Sequence, residues 1–354
     1  MSELSPLLAT LVLVVWFFAT AAALGSFLNV IVWRMPRGIS VGASRSRCPK
    51  CENPISFRDN VPIAGWLMLR GRCRNCGEGI SLRYPIVEAV VAVALSTLLF
   101  LEVIGLGGNL PMQIPGLVHS TNWFSHFPNW TLIGICGYHS MLLYFVLGFA
   151  LIDYDGYRVP ARLWVTGLAA GGAALLSYPS LVVVPVRWGQ EQITVTSGTT
   201  FVPGAIDALS VAAAGGVLGV CVALLLGLSD SSTVDRKRSC YNVVVLLGAV
   251  GAYLGWQAVL SVALLTAAGR LIAVLIPAVR CAPLALIAAT ATFFGIVLWK
   301  PLCSVSGWPG PSSGLMTTIG AVMLVGAVAT LAGFIQRSSE NATHEPDESP
   351  DFEP

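Results

Sequence analysis

Long apolar segments fill most of this chain and restrict it to a fold within a membrane. Of its 354 residues, 55% are hydrophobic and 11% are charged, whereas about 25% of a soluble domain is charged. A membrane-crossing helix needs roughly 20 apolar residues. The candidate segments are Leu7–Val32, Ile86–Ile104, Leu132–Ile152, Leu163–Val184, Ala205–Leu228, Val243–Leu254, Ala258–Ala278, Pro283–Leu298 and Leu315–Ile335. We expect an all-α, polytopic helical bundle with eight or nine transmembrane helices, because Val243–Ala278 could form one bent helix or two short ones.

The basic residues are concentrated where they indicate the orientation of these helices. Ten of the 20 Lys and Arg residues lie in the polar loop 33–84, and such an excess is typical of cytoplasmic loops. The loops 153–162 and 229–241 also carry basic residues, whereas 106–131 contains no Lys or Arg. The sequence therefore predicts that the N-terminus is outside and that loop 33–84 is cytoplasmic.

Four cysteines stand in this basic loop as two C-x-x-C pairs, Cys48 with Cys51 and Cys73 with Cys76. Two such pairs on a short polar loop are typical of a structural zinc site with four thiolate ligands. A reducing cytoplasm disfavours disulfides there. Four unliganded thiols or a dithiol redox pair are the alternatives. The other cysteines, in or near the spans, are expected to be small apolar fillers: Cys136, Cys221, Cys240, Cys281 and Cys303.

The chain divides by composition into five parts, and the last of them is acidic. We interpret the acidic end as a disordered, solvated tail, with an acidic interaction tail as the alternative. The parts are 1–32 (first transmembrane helix), 33–84 (cytoplasmic zinc hairpin), 85–300 (main transmembrane bundle), 301–336 (an extra C-terminal transmembrane helix) and 337–354 (tail).

Four runs of residues are characteristic enough to identify a family. They are Gly25–Gly38 (GSFLNVIVWRMPRG), Ser46–Cys51 (SRCPKC), Asp59–Cys76 (DNVPIAGWLMLRGRCRNC) and Ile80–Glu88 (ISLRYPIVE). This block closely resembles the N-terminal domain of the prepilin leader peptidases, the type IV prepilin peptidase/N-methyltransferase family. The resemblance is specific over residues 25–90 and continues more weakly to about residue 300.

The resemblance implies an aspartic endopeptidase of the bacterial inner membrane. In the family, the enzymes cleave the leaders of type IV prepilins or pseudopilins, for type IV pili or type II secretion. They also methylate the new N-terminus from S-adenosylmethionine. Cleavage needs two aspartates on two helices, one acting as base and the other as acid. The run Asp153-Tyr-Asp155-Gly-Tyr-Arg-Val-Pro160 matches the motif of the first catalytic residue at Asp153. Asp155 matches a non-catalytic position, and Ala161 stands where the family usually has Asp.

The second catalytic aspartate of the family, at the end of a G-x-G-D motif, is missing. Counting back without gaps from the matching run Gly251–Gln257 (GAYLGWQ) puts this motif at residues 240–243, Cys-Tyr-Asn-Val. Val243 cannot ionise, so it cannot share the work with Asp153. Asp235 is a weak substitute, because it needs a gapped alignment and a loop that folds back. Other carboxylates fit less well: Asp230, Asp207 and Glu88.

Two hypotheses of different class follow, with a weaker third. The first is a prepilin-cleaving, methyl-transferring enzyme; the alternative is an inactive paralogue that acts as a membrane binding or assembly protein. The third is a thiol–disulfide or metal-handling protein that uses the C-x-x-C pairs. Membrane orientation explains the basic charge, so we expect no nucleic acid as a partner. The resemblance implies prepilin or pseudopilin precursors as partners, and the apolar spans imply the lipid bilayer. We expect the sixth span to place Val243 or a neighbour, not a carboxylate, against Asp153.

Overall fold

A computed structural model describes residues 4–42, 46–48, 50–111, 128–184, 205–229, 236–311 and 313–343. Over these residues the chain is helical and contains no β-strand, only two isolated antiparallel bridges in the hairpin. This confirms the all-α fold. The helices are α1 (Leu4–Arg34), α2 (Ala64–Met68), α3 (Arg83–Leu98), α4 (Trp130–Tyr154), α5 (Ala161–Ser177), α6 (Ala205–Ser229), α7 (Arg236–Leu254), α8 (Trp256–Leu275), α9 (Leu284–Val297), α10 (Trp299–Cys303) and α11 (Leu315–Thr343).

The long helices agree with the expected number of spans. Within the described part of the chain, six are long and apolar enough to cross a membrane: α1, α3 with its π-helical extension, α4, α6, α8 and α11. The shorter α5, α7 and α9 complete a set compatible with eight or nine. The stretch Val243–Ala278 forms two helices. It breaks at Gly255, whose φ of 86° lies in the left-handed region that favours glycine.

Helices α6 and α7 approach so closely that glycine is required on both of them. A Cβ at Gly215 would lie 2.0 Å from the Gly251 carbonyl oxygen, and one at Gly251 would lie 1.9 Å from the Gly215 oxygen. Gly219 packs in the same way on the Leu247 carbonyl. The order of these contacts makes the helices antiparallel, so the start of α7 lies beside the end of α6. Small residues allow this approach, as is usual between membrane helices.

The C-terminal helix α11 is an integral part of the bundle. It packs against α8 and α6, and the buried Arg270 of α8 donates to Gln336 Oε1 at 2.6 Å. Helix α11 continues to Thr343, beyond residue 337, where the sequence analysis began the tail. The acidic residues from 344 onward lie outside the described residues.

Three connections meet at one end of the bundle and position the candidate site. Arg83, at the start of α3, pairs with Asp155 after α4. Arg37, just beyond α1, lies 4.5 Å from the ring centroid of Tyr157. Arg238, in the first turn of α7, donates to the Gly156 carbonyl at 2.9 Å. The hairpin, the turn after α4 and the start of α7 therefore share one end of the molecule.

The close approach of α6 and α7 leads to a first prediction. Gly251→Ala places a methyl group against backbone that cannot move aside, so we expect a loss of about 1–3 kcal/mol of stability. Thermal unfolding in detergent measures it. Gly216→Ala is the matched control, because its Cβ meets Ala252 at an ordinary 3.7 Å. Equal melting temperatures for the two variants would contradict the packing described.

Candidate functional site

Asp153 lies in the last turn of α4 and is only 3% exposed. The helix ends just beyond it in a tight turn at Gly156, whose φ is 80°. A buried carboxylate at the end of a membrane helix needs polar partners, and such residues mark functional sites by default. The turn and the start of α7 provide them.

The side chain that α7 presents to Asp153 is the amide of Asn242. Its Nδ2 donates to Asp153 Oδ1 at 2.7 Å and to the Tyr157 carbonyl at 2.9 Å. Its Oδ1 accepts from the Val159 N–H at 2.9 Å. Asn242 is fully buried, so one amide links α7 to the end of α4 and to the turn that follows it.

The expectation that Val243 or a neighbour, not a carboxylate, faces Asp153 includes Asn242, but sequence reasoning assigned Asn242 itself no role. The gapless count from Gly251 put the second aspartate at Val243 and assigned Asn242 to a glycine position. Val243 is fully buried within the apolar core cluster. Adjacent residues of an α-helix point about 100° apart, since there are 3.6 residues per turn. The polar character of Asn242 within an apolar helix was the available signal.

Positive charge also approaches Asp153. Arg238 Nε lies 3.9 Å from Asp153 Oδ1, and the Arg238 side chain is 26% exposed. The neighbouring Asp155 is bound on both oxygens by Arg83, at 2.6 and 2.8 Å. Asp155 therefore joins the start of α3 to the end of α4, which suits a structural residue.

Aromatic contacts hold the turn after α4 from its other side. The Arg158 guanidinium lies 3.7 Å from the ring centroid of Tyr241, and Trp164 Nε1 donates to the Tyr241 hydroxyl at 3.0 Å. Tyr241 precedes Asn242 in α7, so two successive side chains of α7 contact the turn. The turn is consequently fixed relative to Asp153.

The other candidate carboxylates lie elsewhere. Asp207 is in the first turn of α6, which is antiparallel to α7 and therefore far from the Asp153 end. Glu88 accepts from the Ile63 N–H at 2.7 Å and so supports the hairpin. Asp230 and Asp235 lie outside the described residues.

The four hairpin cysteines converge on one point. The sulfurs of Cys48, Cys51, Cys73 and Cys76 all lie within 4.8 Å of one another, and those of Cys48 and Cys76 are 3.8 Å apart. A tetrahedral site with Zn–S bonds of about 2.3 Å has sulfurs about 3.8 Å apart. The predicted cluster is confirmed, and its geometry fits a single metal ion better than two separate redox pairs.

The two cysteine knuckles have the same backbone structure. The Glu52 N–H donates to the Cys48 carbonyl at 2.9 Å, and the Gly77 N–H donates to the Cys73 carbonyl at 2.9 Å. Glu52 and Gly77 both have positive φ, 55° and 71°. An ion pair between Lys50 and Glu78 joins the knuckles. The repeated turns direct two pairs of sulfurs towards each other.

Two thiols of the cluster, those of Cys48 and Cys76, have pKa values shifted in opposite directions. The backbone N–H groups of Cys51 and Lys50 lower the pKa of Cys48 to about 6. For Cys76, the Glu78 N–H also lowers the pKa, but desolvation and hydrogen bonds to the other three thiols outweigh it and raise the pKa to about 12. The thiolate is therefore favoured at Cys48 and disfavoured at Cys76, because nearby anions in one small volume repel each other.

Comparisons with known proteins agree with the sequence motifs. Residues 19–103 match the family described as Bacterial Peptidase A24 N-terminal domain. A prepilin leader peptidase/N-methyltransferase of Myxococcus xanthus is 28% identical over 250 residues, covering 71% of this chain and 58% of the relative. One of Aeromonas salmonicida is 26% identical over 274 residues, covering 70% and 76%.

Other relatives match a shorter stretch with higher identity. A prepilin leader peptidase/N-methyltransferase of Vibrio cholerae is 46% identical over 85 residues, covering 22% of this chain and 34% of the relative. The chain thus spans between about a third and three quarters of the length of these relatives. No solved structure matches.

The contacts of Asn242 lead to a second prediction. Asn242→Ala leaves the Asp153 carboxylate and the Val159 N–H without this partner, and a buried group that loses its partner costs about 1–3 kcal/mol. We expect a lower melting temperature in detergent. Asn60→Ala, at an exposed position, serves as control and should leave the melting temperature unchanged. An unaltered melting temperature for Asn242→Ala would show that the amide contributes little.

Proposed function

We propose that this chain, which is related to the prepilin leader peptidases, binds prepilin or pseudopilin precursors in the bacterial inner membrane without cleaving them. The observation that carries the proposal is the 2.7 Å hydrogen bond from Asn242 to Asp153. In this position α7 offers an amide to the carboxylate that matches the family's first catalytic residue. The transmembrane frame and the hairpin, which make the chain similar to its relatives, are retained.

The chemistry of an amide explains why cleavage is not expected. Aspartic proteolysis needs one carboxylate as base for a water and one protonated carboxyl to polarise the scissile carbonyl. Asn242 resembles a protonated carboxyl in shape and donates a hydrogen bond, but it cannot exchange a proton. Asp153 therefore faces a permanent hydrogen-bond donor rather than a second carboxyl group with which it could share a proton.

The second candidate function is the one that the names of the relatives suggest, aspartic endopeptidase and N-methyltransferase. One observation favours it: Arg238 lies 3.9 Å from Asp153, which brings the start of α7 close to the site. Asp235 directly precedes α7 and could supply the second carboxylate. Methyl transfer would then use S-adenosylmethionine, as the resemblance implies.

The orientation belongs to the same proposal. Arg37, Arg83 and Arg238 meet at the hairpin end of the bundle, together with the basic loop 153–162. Basic residues are retained on the cytoplasmic side. We therefore place the hairpin and Asp153 at the cytoplasmic face, with the N-terminus outside.

Cleavage and binding assays separate the two candidates. We expect the purified chain to bind a prepilin substrate in nanodiscs but to release no leader peptide, because losing one essential catalytic group commonly removes nearly all of the chemical rate. Gel mobility of the substrate measures cleavage, and co-purification measures binding. A relative with both aspartates is the positive control.

Variants at two adjacent positions sharpen this test. Asn242→Asp puts a carboxyl next to Asp153, and we expect slow cleavage that Asp153→Asn abolishes. Val243→Asp is the matched control and should restore little, because its side chain enters the apolar core. Robust cleavage by the unaltered chain, lost in both Asp153→Asn and Asp235→Asn, would instead establish the second candidate.

We further propose that the cysteine cluster holds a structural zinc ion. Four thiolates at tetrahedral spacing are the ligand set that zinc prefers. In this site Cys48, Cys51, Cys73 and Cys76 would bind the ion and fix the two knuckles of the hairpin. The ion has no part in the chemistry at Asp153.

Metal analysis tests the zinc proposal. We expect about one zinc ion per chain after purification without chelators, as a closed four-ligand site implies. Cys73→Ser should lose most of the metal, because three thiolates bind it less tightly. Cys221→Ser, on the exposed surface of α6, should keep it. A metal-free chain with reversible disulfides in the hairpin would favour the redox alternative.

A further inference from the structure

Large apolar side chains are exposed between the two cysteine knuckles. Phe57 is 90% exposed, Leu67 is 61% exposed and Met68 is 64% exposed. Exposed apolar groups of this size mark interaction surfaces. We propose that residues 57–70, the interfacial segment, lie in the boundary between headgroups and acyl chains of the bilayer, where Arg58 and Arg70 bind anionic phospholipid headgroups.

The contact with α3 sets the depth of the interfacial segment. The Ile63 N–H donates to Glu88 Oε2 at 2.7 Å, and α3 begins at Arg83. With a rise of 1.5 Å per residue, Glu88 lies about 7.5 Å along α3. Membrane-surface helices bury their apolar face about 5–10 Å into the boundary region. Ile63 is therefore level with the interface rather than with the aqueous phase.

Helix α1 gives the same depth. A Cβ on Gly25 would lie 2.8 Å from the Cα of Glu88, so the two residues are at one level. Helix α1 continues from there to Arg34, which is about 13 Å farther at 1.5 Å per residue. The segment at Ile63 thus packs beside the bundle below the end of α1.

Local backbone strain shows that the segment is held at this level. Ile63 has a φ of 61°, which a β-branched residue adopts only when its surroundings impose it. The Glu88 carboxylate that accepts its N–H is 7% exposed. A buried carboxylate inside a span is costly, so this contact explains why Glu88 is there: it draws the segment towards the bilayer.

The charge of the segment matches an anionic headgroup layer. Arg58 and Arg70 are exposed. Asp59 is the only acidic residue between positions 53 and 77. Its side chain is 8% exposed and is bound on both oxygens by Arg74. The exposed charges beside the apolar side chains are therefore positive, and each basic residue near an anionic leaflet favours binding.

Helix α3 shows where lipid begins along the bundle. Leu82, Ile86 and Val90 are each about half exposed, at 58%, 55% and 48%. They are spaced four residues apart, so they form one apolar stripe along the helix. Because this stripe starts at the hairpin end, lipid is expected to cover α3 from its first turn onward, which is the level that the interfacial segment shares.

Photocrosslinking of the full-length chain tests the proposal. The photoreactive residue p-benzoylphenylalanine replaces Phe57 or Leu67, and Asn53, an exposed position beside the first knuckle, is the matched control. Each protein is placed in nanodiscs of phosphatidylglycerol and phosphatidylcholine and illuminated. Mass spectrometry then identifies the attached molecules. We expect phospholipid adducts at positions 57 and 67 that clearly exceed those at position 53.

Charge reversal tests the headgroup contact. Roughly 1 kcal/mol per basic residue corresponds to about a fivefold preference for anionic lipid. We expect phosphatidylglycerol to be enriched by this order among the adducts, and the enrichment to fall towards one in Arg58→Glu/Arg70→Glu. Arg72→Glu is the control and should keep the enrichment of phosphatidylglycerol.

Two outcomes overturn the proposal. The first is that lipid adducts at positions 57 and 67 are no more frequent than at position 53. The second is that adducts form with an added prepilin in place of lipid, which would assign the surface to a protein partner.

Discussion

The amide of Asn242 is the contact on which the hairpin end of the bundle depends. It donates to Asp153 and to the Tyr157 carbonyl and accepts from the Val159 N–H. A carboxylate could accept from Val159 but could not donate to the other two groups. The amide is therefore well suited to hold the turn after α4 against α7. The same property removes the proton exchange that proteolysis by a pair of aspartates requires.

The hairpin is joined to this site through α3. Arg83, where α3 begins, binds Asp155 two residues after Asp153, and Glu88, farther along α3, holds the backbone of Ile63. Arg37 adds a contact from the end of α1 to Tyr157. Helix α3 thus contacts both the hairpin, through Glu88, and the turn beside Asp153, through Arg83. A metal ion that orders the two knuckles would order a hairpin that is joined to the candidate site through this helix. This coupling is physical, since it runs through charge-assisted hydrogen bonds of buried or half-buried groups.

Much of the fold could be predicted from the sequence, because hydropathy acts locally along each segment. Each expected span corresponds to a helix, and six of these in the described part of the chain are long and apolar enough to cross a membrane. The cysteine spacing predicted the sulfur cluster, since two short turns can each present a pair of thiolates. The sequence left open whether Val243–Ala278 forms one helix or two, and the structure shows the break at Gly255. The docking of α11 through Arg270 and Gln336 could not be predicted. It depends on which distant side chains meet.

The sequence by itself determined the helical bundle with its long apolar spans, the cluster of four cysteines and Asp153 as the residue that matches the prepilin peptidase motif. Only the tertiary structure decided that Asn242, rather than Val243, faces Asp153. A sequence alignment shows no sign that it is shifted by one residue. On an α-helix, however, a shift of one residue turns the side chain by about 100°. The close packing of α6 on α7 at Gly215 and Gly251 sets that rotation. The group presented to Asp153 is therefore a consequence of packing between helices.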